Sequence, residues 1–389
     1  MAAPLASPPL PDAADAAPRA VEGRVRALAW QAFEAPNARA AWDALAERCA
    51  EPNPFFESWY LLPSLRALDP RHEARMLRFH RNGELAGLMP LVRERRYYGW
   101  PFPHLRNWVH ANCFLGTPLV ARGDEDAFWR ALFAWTDANA GLGLFLHLGA
   151  MPLDGPLHAA LVQVLAEQGR ESGVVLREER AMLASSLGQK DYFEAAVSAK
   201  KRKELRRQFT RLSELGEITV TREDDEAGLK PWIDEFLALE FSGWKGAAGS
   251  ALASHQATSE LFREAMAGAA ARGRLERLAL RLDGDPVAML ASFLTPPGAY
   301  SFKTAFDERF ARFSPGVLLQ RENLAVLERT GIDWTDSCAA ADHPMIEHLW
   351  RERRPVGRIS IAIGGNMRRR LFHQLLKAEL GRKPAGIAS

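Results

Sequence analysis

The chain of 389 residues lacks several features by which common protein classes are recognised from sequence. It has only three cysteines, Cys49, Cys113 and Cys338, which lie far apart and form no CxxC or Cys/His spacing. This pattern argues against a disulfide framework and a zinc site, and it predicts a reducing, cytoplasmic compartment. His343 and His348 are five residues apart, the wrong spacing for one helical metal-binding face. We therefore predict no metal.

Further absences concern motifs, apolar runs and charge. The sequence has no GxSxG elbow, Walker loop, GxGxxG fingerprint or HExxH motif, which removes the commonest hydrolase, nucleotide-hydrolysing and dinucleotide-binding interpretations. No apolar run approaches the roughly 20 residues of a membrane span. The net charge is only +2, so overall charge does not argue for nucleic acid or a membrane as the partner.

What remains is the composition of an ordinary globular protein. Hydrophobic residues make up 47% and charged residues 25% of the chain, with 11 Trp and 20 Phe to fill sizeable cores. The length predicts two or three domains. The Ala/Pro-rich stretch at residues 1–20 is predicted to be a disordered leader and not a signal peptide.

Two similar hairpin patterns lie about half the chain apart. Apolar segments flank Asn82-Gly83, and a second pair flanks Asp283-Gly284. Such dipeptides favour a two-residue hairpin turn. A helix-rich segment precedes each hairpin, so we interpret the pattern as a duplicated α/β unit, although two unrelated hairpins would look the same. The predicted units are residues 21–187 and 188–365, followed by a basic tail at 366–389.

The stretch SFKTAFDERFARFSPGVLLQRENL, residues 301–324, carries the clearest local signals. Strand alternation predicts that Lys303 and Asp307 share one face, lining either a cleft or simply the solvent-exposed side. Two arginines, Arg309 and Arg312, then lead into a turn and an apolar helix. Their guanidinium groups are suited to clamp phosphate oxygens.

Ser314-Pro315-Gly316 is typical of a helix start. Serine is a favoured N-cap and proline fits the first turn. Gly316 would let a ligand approach the backbone, and the N–H groups of Gly316, Val317 and Leu318 would point out of the positive end of the helix. The pattern predicts an anion site, and an ordinary capped helix is the alternative.

Two other segments are rich in charge or glycine. In residues 239–252, LEFSGWKGAAGSAL, the side chains of Glu240, Trp244 and Lys245 come together in a glycine-rich loop. This is either a binding loop or a helix end with an extended lysine. Residues 200–211, KKRKELRRQFTR, are intensely basic, and we interpret them first as a solvated helix face and next as a contact for an anionic substrate or cofactor.

The order of helices, hairpin, aromatic strand, basic turn and helix start resembles the GNAT acyltransferase superfamily. The chain is similar to its bacterial CelD-like branch, which is related to the Fem-type aminoacyltransferases with two tandem GNAT-like units. The resemblance rests on four segments: GELAGLMPLV (83–92), SGWKGAAGSAL (242–252), LDGDPVAMLASF (282–293) and SFKTAFDERFARFSPGVLL (301–319). It implies an α/β (α+β) fold of tandem units, each with a mixed, mostly antiparallel sheet flanked by helices.

The resemblance also implies a cofactor and a reaction. Acetyl-CoA or another acyl-CoA would place its pyrophosphate at the anion site, with Arg309, Arg312, Ser314, Gly316 and Val317 binding it. The usual superfamily loop is richer in glycine than the one here. The first unit has no comparable turn and would be a non-catalytic partner that helps to shape the acceptor cleft.

The implied mechanism is direct attack of an amine or hydroxyl on the thioester, which needs a base and donors for the carbonyl oxygen. Asp307 and Glu240 are the candidate bases. Lys303 and Lys245 are candidate electrostatic or acceptor-binding groups, with Trp244 beside them.

The acceptor implied by the family is a small molecule, a cell-envelope precursor or a polysaccharide building block. Two alternatives stay open. One is a Fem-type transferase that takes its aminoacyl group from tRNA, in which case the basic segment at residues 200–211 would serve the nucleic acid. The other is a GNAT fold without activity, used as a binding module.

Overall fold

A computed structural model of the protein describes residues 23–341 and 343–381. The predicted leader at residues 1–20 lies outside this part of the chain. The strands are Val25–Ala29 (β1), Arg75–Arg81 (β2), Glu84–Glu94 (β3), His104–Asn107 (β4), Leu119–Val120 (β5), Phe145–Pro152 (β6), Ser172–Leu183 (β7), Ile218–Glu223 (β8), Leu275–Leu282 (β9), Asp285–Thr295 (β10), Gly298–Phe306 (β11), Trp334–Asp336 (β12) and Glu352–Ala362 (β13).

The helices follow the order that the sequence patterns predict, with two exceptions. They are Pro36–Glu47 (α1), Ser58–Leu68 (α2), Glu125–Asn139 (α3), Gly155–Glu167 (α4), Gln189–Ala196 (α5), Ala199–Ser213 (α6), Leu229–Ser242 (α7), Trp244–Ala247 (α8), Gln256–Ala270 (α9), Pro315–Asn323 (α10) and Asn366–Leu380 (α11). One exception is α8, which forms within the stretch predicted as a glycine-rich loop. The other is residues 192–215, for which the helical spacing predicts one long helix, and this prediction is wrong. The chain breaks at Val197, and the Ser198 side chain accepts a hydrogen bond from the N–H of Lys201, which starts a new helix.

All thirteen strands join one mixed, mostly antiparallel sheet, flanked by helices as predicted. Its order is β1-β2-β3-β4-β6-β13-β7-β12-β11-β10-β9-β8, with β5 paired to β3. Each half repeats the same order of strand, helices, hairpin and further strand. The two parallel pairings, β4 with β6 and β11 with β12, occupy equivalent places in the two halves.

Both predicted hairpins form at their predicted turns. The turn residues Asn82 and Gly83 have φ of 51° and 78°, and Asp283 and Gly284 have φ of 51° and 89°. Two successive positive φ values are typical of the two-residue turn whose twist matches that of the flanking strands. Local sequence chemistry therefore sets the registers of β2 with β3 and of β9 with β10.

Strand β13 joins the two halves of the sheet. It belongs to the segment predicted as the second unit, yet it lies between β6 and β7 of the first and pairs antiparallel with both. The division at residues 187 and 188 stays a prediction, but β13 makes the two halves share one continuous hydrogen-bonded ladder.

The helices of the two halves also pack directly on one another. Gly268 of α9 lies against the backbone and side chain of Trp59 in α2, close enough that a Cβ at this glycine would meet the Trp59 Cβ. Around this contact the rings of both halves form one buried aromatic cluster, which includes Phe55, Tyr60 and Phe302. This cluster forms the floor of the region described next.

Candidate active site at the junction of the two halves

Strands β11 and β12 diverge after a short stretch of parallel pairing. They pair only from Gly298 to Tyr300 on one side and from Trp334 to Asp336 on the other. Beyond Tyr300 the edge of β11 that faces β12 has no partner strand among the residues that the structure describes. Backbone groups on an unpaired edge can bind an extended ligand. Lys303 lies on this segment, and the carbonyl of its neighbour Thr304 accepts a 3.4 Å hydrogen bond from Lys245 Nζ.

A β-bulge decides where Lys303 points. The register of β10 with β11 shifts so that Ala291 lies opposite Lys303 while Ser292 lies opposite Ser301, which leaves Phe302 as the extra residue. Cross-strand partners share a face. Lys303 therefore lies on the same face as Tyr300, and the predicted simple alternation across this strand is wrong. A bulge of this kind redirects a side chain.

Lys303 has no hydrogen-bond or ion-pair partner within residues 23–341 and 343–381. Its Nζ lies 5.2 Å from the ring centroid of Phe114 and 5.7 Å from that of Phe302. Burial, helped by the positive charge of Lys245, lowers the pKa of Lys303 to about 8. A half-buried amine whose pKa is lowered toward pH 8 is suited to act as a catalytic base.

The two predicted carboxylate bases are engaged elsewhere. Glu240 receives a 2.8 Å hydrogen bond from Lys245 Nζ and another from the N–H of Leu252, so it holds the loop after α7 in place. Asp307 accepts three hydrogen bonds from the Arg309 side chain. These bonds hold the pKa of Asp307 below its usual range, which makes it a weaker base. Lys303 fits the role of base better than either carboxylate, although the roles themselves stay predictions.

The first half contributes a histidine that the sequence reasoning did not select. His110 lies in the loop at residues 108–118, and its ring stacks on Tyr60 at 6.2 Å between centroids. Burial and the charge of Lys303 lower the pKa of His110 to about 3, so the ring is neutral. The N–H of Asn112 donates to Nδ1 over 3.3 Å, which assigns the proton to Nε2.

His110 Nε2 is inaccessible to solvent and has no hydrogen-bond partner among the described residues. A buried donor without a partner is costly and often marks a functional position. A histidine in an aromatic, Pro-rich stretch was visible in the sequence, but nothing local placed it beside Lys303. Only the packing of the two halves does so.

The loop that carries His110 is fastened to the fold along its length. Its carbonyl oxygens accept hydrogen bonds from buried or half-buried side chains of the first half. The pairs are Asn112 with Tyr60, Phe114 with Arg180, Leu115 and Thr117 with Asn53, and Gly116 with Asn107. Asn107 also bonds the N–H and the C=O of Gly149. In the first half, β4 and β6 correspond to β11 and β12 of the second half. This loop fills the space between β4 and β6.

The predicted anion site is at the start of α10, but its details differ. Ser314 is the N-cap residue, yet its φ of 53° turns the hydroxyl toward Gln208 of α6, whose Nε2 donates to it over 3.1 Å. The N–H groups of Val317 and Leu318 both donate to the Ser314 carbonyl. The prediction that these two N–H groups are free is therefore wrong, because the first turn closes on itself.

Cationic groups remain beside that helix start. Arg312 is exposed and has no ion-pair partner in the described part of the chain, whereas Arg309 is paired with Asp307. Gly316 is buried, and a Cβ there would collide with Met345 Sδ. Trp244 is 60% exposed, and its backbone N–H donates to Glu308. The sequence-predicted residues thus form two groups, one around Lys303 and one at the start of α10.

Cys338 follows β12, and burial raises its pKa well above the ordinary value, so it stays a neutral thiol. Among residues 23–341 and 343–381, no three His, Cys, Asp or Glu side chains are grouped to hold a metal ion. Within the same ranges, no helix has both the length and the apolar character to cross a membrane.

Comparisons with known proteins agree with this architecture. Residues 199–344 match the family described as the acetyltransferase (GNAT) domain. The crystal structure of FemX is similar to the chain with a TM-score of 0.54 and 12% identity, covering 87% of this chain and 98% of FemX. A conserved protein of unknown function from Bacteroides thetaiotaomicron gives a TM-score of 0.51 at 12% identity, covering 84% and 97%.

A tandem GNAT protein from the clavulanic acid biosynthesis pathway gives 14% identity and a TM-score of 0.43, covering 88% of this chain and 99% of that protein. At these identities, similarity to solved structures shows the fold alone. No curated protein matches the sequence significantly. All of the sequence-predicted site residues lie inside the matched segment, whereas His110 lies outside it.

Proposed function

We propose that this protein transfers an acetyl or other acyl group from acyl-CoA, because residues 199–344 match the acetyltransferase (GNAT) domain family and the fold is similar to that of FemX. The acceptor is an amine or hydroxyl of a small molecule or of a cell-envelope or polysaccharide precursor. The observation that carries the proposal is the half-buried Lys303 on the open edge of β11. Its ammonium has no hydrogen-bond or ion-pair partner among the described residues, and its charge acts on the neutral His110 of the other half.

In this proposal the donor lies along the open edge of β11. The pyrophosphate binds at the start of α10 near Arg312, where the helix dipole and an unpaired guanidinium favour an anion. The thioester then reaches the region of Lys303. The neutral amine of Lys303 accepts the proton that the attacking nucleophile loses, and His110 Nε2–H donates to the oxygen that becomes negative in the tetrahedral intermediate. When the intermediate collapses, the C–S bond breaks and CoA leaves as the thiol, taking the proton that Lys303 holds.

A neutral histidine is suited to this role. The hydrogen bond from its Nε2–H to the carbonyl oxygen strengthens as negative charge develops on that oxygen. The bond is therefore strongest in the transition state, and only interactions of this kind accelerate the chemical step. The fastened loop at residues 108–118 holds the donor in position before the substrate arrives, and little reorganisation is needed.

The first test is a calorimetric titration of the full chain with acetyl-CoA and with CoA. We expect micromolar binding that weakens at least tenfold in Arg312→Glu, because the new carboxylate repels the pyrophosphate. Arg71→Glu, at an exposed arginine outside the site, is the matched control and should bind like the wild-type protein. Gly316 is unsuitable for this test because any side chain there displaces Met345. Absence of binding by the folded wild-type protein would overturn the acyl-CoA proposal.

The role of His110 predicts a specific kinetic signature. His110→Phe keeps the stacking on Tyr60 but removes the Nε2–H donor. We expect kcat to fall roughly a hundredfold, with little change in KM for acetyl-CoA. CoA thiol release with an acceptor chosen from a panel of amines and sugars measures this. His110→Gln, whose amide can still donate, should retain more activity than the Phe variant, and equal loss in both would contradict the donor role.

One observation favours a second donor. Helix α6 presents an exposed row of cations that have no ion-pair partner among the described residues, namely Lys200, Lys203, Arg207 and Arg211. Gln208 of the same helix contacts the start of α10. A row of this kind is suited to a polyanion such as aminoacyl-tRNA. Tight, strongly salt-dependent tRNA binding together with no acetyl-CoA binding would favour this alternative.

A further inference from the structure

We propose that the face formed by α11 and the loop at residues 95–102 docks on the surface of an anionic lipid bilayer. This inference is independent of the proposed acyl-transfer chemistry. It starts from exposed apolar side chains that no packing role accounts for. Soluble proteins expose single apolar residues routinely, but a cluster of large ones rimmed by cations marks an interaction surface.

The exposed apolar residues concentrate around α11. Thirteen large hydrophobic residues of the described chain are exposed, and six of them lie on or beside this helix. The six are Tyr98, Trp100, Leu142, Met367, Leu371 and Leu380, with Met367 82% and Leu142 83% exposed. On the helix itself Met367 and Leu371 are four residues apart and share the outward side, because Phe372 and Leu376 face the core.

Two side-chain contacts join these residues into one surface. Tyr97 donates a 2.7 Å hydrogen bond to Glu379, which ties the aromatic loop to the C-terminal half of α11. Arg368 donates a 2.8 Å hydrogen bond to the carbonyl of Gly141, which brings Leu142 beside the N-terminal half. Tyr97 and Phe372 both pack on Phe145, so loop and helix lie on the same face of the sheet.

The charge of this surface selects the partner. Arg95, Arg96, Arg370 and Lys377 are exposed around the apolar residues and have no ion-pair partner in the described part of the chain. A cleft of about 410 Å³ opens beside α11, where Arg370 and His373 contribute to its lining. Exposed Trp and Tyr side chains together with cations fit the boundary between headgroups and acyl chains, and the cations favour anionic lipid.

The test is flotation of the full chain with two kinds of vesicle, phosphatidylcholine alone and phosphatidylcholine with one quarter phosphatidylglycerol. We expect binding to the anionic vesicles that falls between 50 and 500 mM NaCl, and little binding to the neutral ones. Trp100→Ser combined with Met367→Ser and Leu371→Ser should lower the binding at least tenfold. A separate double variant, Arg370→Glu with Lys377→Glu, should lower the binding to anionic vesicles by about fivefold or more per charge. Its binding should also depend less on the salt concentration than that of the wild-type protein.

The matched control replaces three exposed apolar residues elsewhere, Val162, Leu187 and Leu215, by serine. It should bind like the wild-type protein. Equal binding by the two triple variants, or equal binding to neutral vesicles without a salt effect, would overturn the proposal. A different result would also overturn the lipid proposal. The wild-type protein would bind neither kind of vesicle but sediment as a dimer, and the Trp100 triple variant would sediment as a monomer. The surface would then join two copies of this chain.

Discussion

Replacing Lys303 by methionine is expected to abolish acyl transfer while making the folded protein more stable. Methionine has a similar length and packs against Phe114 and Phe302, but it cannot accept a proton. We expect activity to fall by about a hundredfold to ten-thousandfold, the usual contribution of a general base. The measurement is CoA thiol release under saturating acetyl-CoA.

The stability gain follows from the pKa of Lys303. Its pKa is lowered from the ordinary 10.5 to about 8 in the folded chain, so the charged amine costs stability at neutral pH, on the order of 3 kcal/mol at most. The unfolded state binds the proton more tightly between pH 8 and pH 10.5. The free energy of unfolding of the wild-type protein should therefore rise across this range, and that contribution should be missing in Lys303→Met. At pH 7 we expect the free energy of unfolding of Lys303→Met to exceed that of the wild-type protein by about 2 kcal/mol. The gain is smaller than the upper limit because the variant loses the favourable contacts of the ammonium with the two rings.

Two further variants separate the possible roles of this lysine. Lys303→Arg keeps the charge but cannot lose its proton, so a base role predicts that it is as inactive as the methionine variant. Substantial activity in Lys303→Arg would show that positive charge, and not proton transfer, is required. With the wild-type protein, kcat/KM should rise with pH and level off above about pH 8. Lys230→Met, at an exposed position of α7, should change neither activity nor stability.

Replacing Asn107 by leucine is expected to give the largest loss of stability. The buried Asn107 side chain bonds the N–H and C=O of Gly149 and the C=O of Gly116. Leucine has a similar shape but leaves three backbone groups without partners. At 1–3 kcal/mol for each buried group, the free energy of unfolding should fall by roughly 4 kcal/mol. Denaturant unfolding followed by tryptophan fluorescence measures this.

The same variant should lose activity because it releases the loop that holds His110. Asn37→Leu, an exposed asparagine on α1, is the control and should be neutral. If Asn107→Leu does not fold, Asn53→Ser provides a milder test. Serine still caps the turn at Pro54, but the amide donors to Leu115 and Thr117 are lost. Normal activity in a folded variant with a mobile loop would contradict the need for a fixed His110.

The acyltransferase resemblance rested on local features, and the GNAT domain match confirms the superfamily. The hairpins at Asn82-Gly83 and Asp283-Gly284 were predictable because Asn, Asp and Gly tolerate the positive φ that the turn requires. The start of α10 was predictable because Ser-Pro is favoured there. In each case the physical cause lies within a few residues along the chain, which is why sequence reasoning reached it.

The arrangement of the candidate site depended on contacts far apart in sequence. The alternation rule placed Lys303 opposite Tyr300, and the bulge at Phe302 overrides it because β10 pairs with β11 in a shifted register. Glu240 was a candidate base from its neighbours in sequence, but its salt bridge to Lys245 and its bond to Leu252 use both carboxylate oxygens. Bulges and ion pairs depend on the partner strand or loop, which periodicity does not specify.

By itself the sequence determined the element order, the repeated α/β pattern, the turns and the basic approach to α10, since these follow from backbone preferences and side-chain spacing. Only the tertiary structure decided that β13 joins the first half between β6 and β7, and that His110 lies near enough to Lys303 for the lysine charge to lower the pKa of the histidine. The physical reason is that both depend on long-range strand pairing and on burial of the shared aromatic cluster, whose free energy belongs to the whole fold and to no single segment.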